Sequence, residues 1–110
     1  MIHHTALFTF NETATKAQIA ELMDSLLALQ KDIPAIKRIV WGRNFSQKAN
    51  GYTDVVSIDF PSRETLAAFY DHPAHKRVAE RLIKPITKNL LIVDYEEKGL
   101  PEVSARETQP

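Results

Sequence analysis

The chain has 110 residues and a mass of 12.5 kDa, enough for one domain built round one core. Fourteen basic side chains balance fourteen acidic ones, so no cationic surplus exists to release counterions from nucleic acid or to hold an anionic membrane surface. Cysteine is absent, which removes disulfides, thiolate catalysis and thiolate-ligated metals.

The opening residues, MIHHTALFTFNE, have neither the cationic start nor the long apolar run of a signal peptide. No apolar run elsewhere approaches a membrane span. A cytoplasmic protein is expected. Residues 2–10 alternate as a strand, with Ile2, His4, Ala6, Phe8 and Phe10 on one face and His3, Thr5, Leu7 and Thr9 on the other. Thr15-Lys16-Ala17-Gln18 has the capping-box pattern. A helix should follow it, with Ile19, Leu22, Met23, Leu26, Leu27 and Ile33 as its apolar stripe. Pro34 ends that helix, because the residue before a proline is pushed out of the helical region.

Residues 36–45 read as a second strand, with Ile39 and Trp41 on one face and Ile36, Val40 and Gly42 on the other. Gly42 suggests a bulge or a close backbone approach. Asn50-Gly51 is a hairpin signal. Residues 52–60 form the third strand, with Asp54, Val56, Ile58 and Phe60 on one face. Ser62 caps the next helix, His72-Pro73 breaks it, and Pro73 opens a further helical piece that Pro85 stops or kinks. Residues 90–97 give the fourth strand, with Leu90, Ile92 and Asp94 opposing Leu91, Val93 and Tyr95. Residues 98–110 have no periodicity and read as a tail after a domain over 1–97.

The order β-α-β-β-α-β is the ferredoxin-like α+β unit, a four-stranded antiparallel sheet with helices on one face. The opposite face carries Leu7, Ile36, Val40, Val55, Leu91, Val93 and Tyr95 among Thr5, Thr9, Thr53 and Ser57. That face is too apolar to stay wet. Pairing it with the same face of a second copy closes a barrel, so a homodimer is expected, burying well over about 1,000 Å².

Several segments taken together carry a resemblance: Ile2-His3-His4, Ile33-Pro34-Ala35-Ile36, Trp41-Gly42, Gly51-Tyr52-Thr53, His72-Pro73-Ala74-His75 and Asp94-Tyr95. Their order and spacing over residues 1–97 resemble the stress-responsive A/B barrel (Dabb) family of dimeric α+β barrels. The resemblance implies the dimeric barrel and no cofactor. It also implies kinship with a cofactor-independent plant polyketide cyclase that closes a linear polyketide thioester by aldol condensation. That type of enzyme uses a Tyr–His pair in a pocket between sheet and helices. Its base falls on His75, a second histidine on His4, its tyrosine on Phe69 and a pocket histidine on Asp54. The phenol is therefore replaced by Phe69. Tyr70 is adjacent, but one helical step turns a side chain by about 100°, so it is not expected to stand in.

The residues themselves point the same way. A neutral His75 in the first turn after Pro73 suits abstraction of a proton next to a carbonyl; a purely structural histidine holding the corner is the alternative. Asp54 lies on an otherwise apolar strand face, where a carboxylate is costly unless paired. It shares the helix-facing side with His4, so Asp54 or His4 is expected to orient His75. His72 is read as structural, and His3 as lying near the dimer seam. No metal-ligand spacing appears among His4, Asp54, His72 and His75. Phe8, Leu22, Met23, Leu26, Ile39, Val56 and Phe69, with Trp41, would line or fill the space between sheet and helices. Three functions follow. One is a dimeric barrel that binds a small apolar or carbonyl-bearing molecule, with no reaction assigned. The second is a cofactor-independent cyclase or isomerase with His75 as general base, and the third a purely structural protein whose pocket is filled.

Overall fold

Strict alternation in the first segment is realised as strand β1, Ile2–Phe10, whose even-numbered residues from Ile2 to Phe8 are all buried. The structure is a computed structural model, and it describes residues 1–98. After β1 come α1 (Lys16–Asp32), β2 (Arg38–Arg43), β3 (Asp54–Phe60), α2 (Arg63–Asp71), α3 (Pro73–Val78) and β4 (Thr87–Glu96). The strands form one antiparallel sheet in the order β2-β3-β1-β4. This is the expected ferredoxin-like fold. The expected tail falls, apart from Lys98, outside the described residues.

Helix α1 begins where its cap predicts. The Gln18 N–H donates to Thr15 Oγ1 at 3.1 Å, and the Thr15 N–H donates to Gln18 Oε1 at 2.9 Å. Its core stripe is Leu22, Met23, Leu26 and Leu29, continued by Ile33. Leu27 is not part of that stripe and is exposed, because one step beyond Leu26 turns it about 100° off the buried side. Ser62 caps α2 by accepting from the Thr65 N–H. His72 caps α3, its Nδ1 accepting from the Ala74 N–H at 3.0 Å, with Pro73 as the first helical residue. The chain then widens into a π-type turn over Ala79–Ile83 and tightens into a 3₁₀ turn over Lys84–Ile86, so Pro85 ends the helical run.

Four expectations about the strands need correcting. Ile36 is buried in the core and is not on the outer face. It lies in a turn, its N–H donating to the Ile33 carbonyl at 3.0 Å, and β2 starts only at Arg38. Gly42 marks no bulge: β2 pairs with β3 in unbroken register, and a Cβ at Gly42 would meet nothing within 4 Å. Strand β3 starts at Asp54, because Asn50 (φ 52°) and Gly51 (φ 84°) make a tight turn closed by the Tyr52 N–H on the Ala49 carbonyl. Strand β4 starts at Thr87, and the one register irregularity with β1 sits between Thr9 and Phe10.

The core fills the space between the sheet and the helices. Phe8, Leu22, Met23, Leu26, Ile39, Val56 and Phe69 are all buried in it, with Ile58, Phe60 and Leu66. The outer face is different. Leu91, Val93, Tyr95 and Val40 are each at least 39% exposed, and all four were expected there. Strand β4 exposes apolar side chains on both faces, since Leu90 and Ile92 are also uncovered. No described helix is long and apolar enough to cross a membrane.

Candidate functional site

Strand pairing brings two polar residues together, and helix α2 adds a third. The β1–β4 register sets His4 opposite Asp94, and both face the helices. His4 is 5% exposed, and its Nδ1 lies 2.5 Å from Asp94 Oδ1. The Tyr70 hydroxyl, from the penultimate residue of α2, donates to Asp94 Oδ2 at 2.6 Å and lies 3.2 Å from His4 Nδ1. Burial first, and then the hydrogen bond and negative charge of Asp94, push the Tyr70 phenol well above its usual range. Its proton therefore stays on oxygen and is committed to Asp94. An open hollow of ≈ 300 Å³ lies against Asp94, lined also by Ile2, Arg63, Leu66, Tyr95 and Glu96.

Phe69 points into the core, as the helical pattern predicts. The Tyr70 hydroxyl reaches His4 and Asp94, a contact the sequence reading did not foresee, and meets His75 only through its ring edge. The signal was present as Tyr70 and Asp94 on helix and strand ends, but only the tertiary register joins them.

His75 belongs to the same region. Its ring packs on Phe69 with centroids 4.2 Å apart, and Tyr70 meets it edge-on at 5.9 Å. Phe69 in turn meets the His4 ring at 5.6 Å. Phe69 thus stands between the two imidazoles. His75 Nδ1 is enclosed and has no hydrogen-bond partner among the described residues. Burial holds the His75 pKa below its ordinary value; the main chain of Tyr70 offsets part of this, while His4 and His72 add to the lowering. At neutral pH the ring is therefore uncharged.

Asp54 is not brought to this cluster. It pairs with Phe8 on β1, four positions from His4, which is about 13 Å along a strand. Its carboxylate accepts from Trp41 Nε1 at 3.0 Å and from the Thr53 hydroxyl at 2.8 Å, with Arg43 Nε at 3.7 Å. No hydrogen bond joins Asp54 to a histidine; His4 meets Asp94 instead, and Phe69 stands between His4 and His75. Sequence alternation placed Asp54, His4 and Asp94 on one face but carried no information on which shared a level.

His3 lies on the opposite face, as its parity requires. Its Nδ1 meets Asp59 at 2.6 Å and its Nε2 meets Glu97 at 3.0 Å. Hydrogen bonds from Glu97 and then Asp59 raise its pKa above the ordinary value. The seven residues expected to line a pocket are closed core, and none of them borders the hollow at Asp94. Among the described residues, no three His, Asp or Glu side chains gather as metal ligands.

This architecture has known counterparts. The chain is 33% identical over 96 residues to an olivetolic acid cyclase of Cannabis sativa, a match covering 86% of this chain and 94% of that protein. A crystal structure of an Arabidopsis thaliana protein superposes with a TM-score of 0.85 at 26% identity, covering 92% of this chain and 99% of the other. A dimeric ferredoxin-like protein of unknown function from Thermobifida fusca superposes with a TM-score of 0.75 at 28% identity, covering 87% and 90%. The model of the Stress responsive A/B Barrel Domain matches residues 2–97, so this chain belongs to the stress-responsive A/B barrel (Dabb) family.

Proposed function

We propose that the protein is a homodimer that binds a small carbonyl-bearing molecule beside His75 and the His4–Asp94–Tyr70 cluster. The observation that carries this reading is the buried His4 joined to Asp94, with Tyr70 on the same carboxylate, beside an open hollow of ≈ 300 Å³ that Asp94 borders. Dimerisation is supported by the row of exposed apolar side chains on the outer sheet face and by the dimeric relative of known structure. The family does not itself assign a reaction.

A second reading has its own support, the lowered pKa of His75 together with the cyclase among the relatives. A neutral imidazole takes a proton from the carbon next to the carbonyl; the C–H electron pair becomes a C=C bond as the carbonyl π pair moves onto oxygen, giving an enolate. The enolate carbon then attacks a second carbonyl, giving an aldol ring closure, or is reprotonated, giving an isomer. The Tyr70 hydroxyl, which keeps its proton, fits the role of a hydrogen-bond donor near the developing oxyanion.

Two measurements test this. Light scattering at micromolar protein should give twice the chain mass; a monomer mass would remove the dimer. Linear poly-β-keto thioesters, mixed with wild type and with His75→Ala, should be turned over or bound by the first and not the second. Equal rates and equal affinities for both would overturn the role of His75.

A further inference from the structure

One exposed apolar side chain stands apart from the sheet. Phe45 is 97% exposed, so its ring packs on almost nothing among the described residues. It lies just beyond the end of β2, in the connection to β3. That connection is held in place on both sides of the ring. The Asn44 N–H donates to the Thr53 carbonyl and the Asn44 side-chain amide donates to the Tyr52 carbonyl, both at 2.8 Å. Beyond Phe45, the Ser46 N–H donates to Asn44 Oδ1 and the Lys48 N–H donates to Ser46 Oγ, each at 3.0 Å. A phenyl ring offered to water on a fixed support stabilises nothing within one chain. It is pre-organised to dock, because little backbone freedom remains to be lost on contact.

A receiving surface lies where β4 begins. A hollow of ≈ 340 Å³ is bordered by Ala79, Ile83 and Leu90, together with Lys84, Thr87 and Lys88. Leu90 is 43% exposed and joins this hollow to the uncovered apolar run of β4. We propose that in the homodimer Phe45 of each protomer seats in this hollow of its partner. The inference rests on the dimer proposed above and gives it an anchor.

Strand direction connects the ring to the hollow. Strands β2 and β4 are the two edges of the sheet. Every neighbouring pair in the order β2-β3-β1-β4 is antiparallel, so β2 and β4 run in opposite directions. When β4 of one copy lies beside β2 of another in the same alternation, the end of β2 meets the start of β4. Phe45 follows shortly after β2 ends at Arg43, and Leu90 follows shortly after β4 begins at Thr87. The contact is isologous: each protomer gives one ring and receives one, so the pair closes and does not propagate. The chemistry of the hollow also suits a ring. Ala79, Ile83 and Leu90 supply apolar contact, and Lys84 and Lys88 bring ammonium groups, which an aromatic face attracts.

The chain has no cysteine, so introduced thiols report without background. The double variant Phe45→Cys, Leu90→Cys should form a covalent dimer on a denaturing gel after mild oxidation. The control pair Phe45→Cys, Leu27→Cys, with an exposed leucine of α1, should not. In sedimentation, Phe45→Ser should raise the dimer dissociation constant at least about a hundredfold, because two anchoring rings are lost per dimer. Its circular dichroism should match wild type, since the ring supports no packing within its own chain. Equal dissociation constants for wild type and Phe45→Ser would overturn the proposal and leave Phe45 to a different partner. Cross-linking as strong at Leu27 as at Leu90 would also overturn it. A wild-type chain that is monomeric at micromolar concentration would remove the dimer itself, and the anchor with it. A wild-type dimer whose double variant forms no bridge would remove the anchor alone.

Discussion

Asp94 and Asp54 lie on the same face of the sheet, four positions apart along β1, and their partners differ in kind. Asp94 is met by an imidazole and a phenol, His4 and Tyr70. Asp54 is met by an indole N–H, a hydroxyl and a guanidinium, none of which titrates near neutrality. Asp94 is also open to solvent at the edge of a hollow, whereas Asp54 is buried. The first carboxylate is within reach of a ligand; the second, held by fixed donors, shapes a rigid wall.

The largest expected effect comes from removing the residue that separates the two imidazoles. Phe69 is fully buried and touches the rings of His4, Phe60 and His75. Phe69→Ala should cost about 3–5 kcal/mol in urea denaturation, through lost contacts and the cavity left behind. It should also admit water beside His75 and bring that histidine's titration, followed by NMR, back towards its ordinary value. Trp41 emission should stay unchanged. A changed emission would mean the two ends are packed as one unit.

The next effect is smaller and sharper. Asp94→Ala should cost about 1–3 kcal/mol, because it strands the buried His4, and Asp54→Ala less, because water can replace the carboxylate at the exposed Trp41, Thr53 and Arg43. Their signatures should not overlap. Asp54→Ala frees the indole and should shift Trp41 emission; Asp94→Ala should bring the Tyr70 titration back towards its usual range and leave Trp41 alone. The two costs should add to within about 0.5 kcal/mol in the double variant, as expected of sites with no shared partner. A larger coupling would show that the sheet transmits strain between them.

Legibility in the sequence follows the same division. Periodicity and caps are local, and they located every strand and helix: the Thr15 capping box, the Ser62 cap, Pro73 at a helix start. The face on which each strand residue lies is equally local, so His3 and His4 were separated correctly. Level along the sheet is not local. It is set by register between β1, β3 and β4, and that register sent Asp54 to Trp41 and Asp94 to His4. Reach is not local either, which is why the sequence does not foresee the Tyr70 hydroxyl at His4 and Asp94. Ile36 shows a third limit: a strand pattern extended two residues too early puts a core residue on the wrong face.

The smallest expected effect is the pH dependence of stability, where two histidines on opposite faces of β1 and the α3 corner pull in opposite directions. In the unfolded chain each binds a proton near pH 6.5. Folded His75 resists protonation, chiefly because it is buried, so below 6.5 the unfolded state takes up more protons than the folded one. Its contribution is complete above pH 6.5 and is lost as pH falls through the lowered value. His3 behaves conversely: Glu97 and Asp59 hold its proton in the folded state, so its contribution is complete below pH 6.5 and disappears as pH rises through the raised value. His75→Asn should therefore flatten the acid side of a stability–pH curve, and His3→Gln the alkaline side. Because His3 sits between two exposed or half-exposed carboxylates, its share should also shrink in high salt, whereas that of His75 should not. A salt-sensitive acid limb in wild type, still present in His75→Asn, would assign the acid loss to surface ion pairs and leave His75 uncoupled from folding.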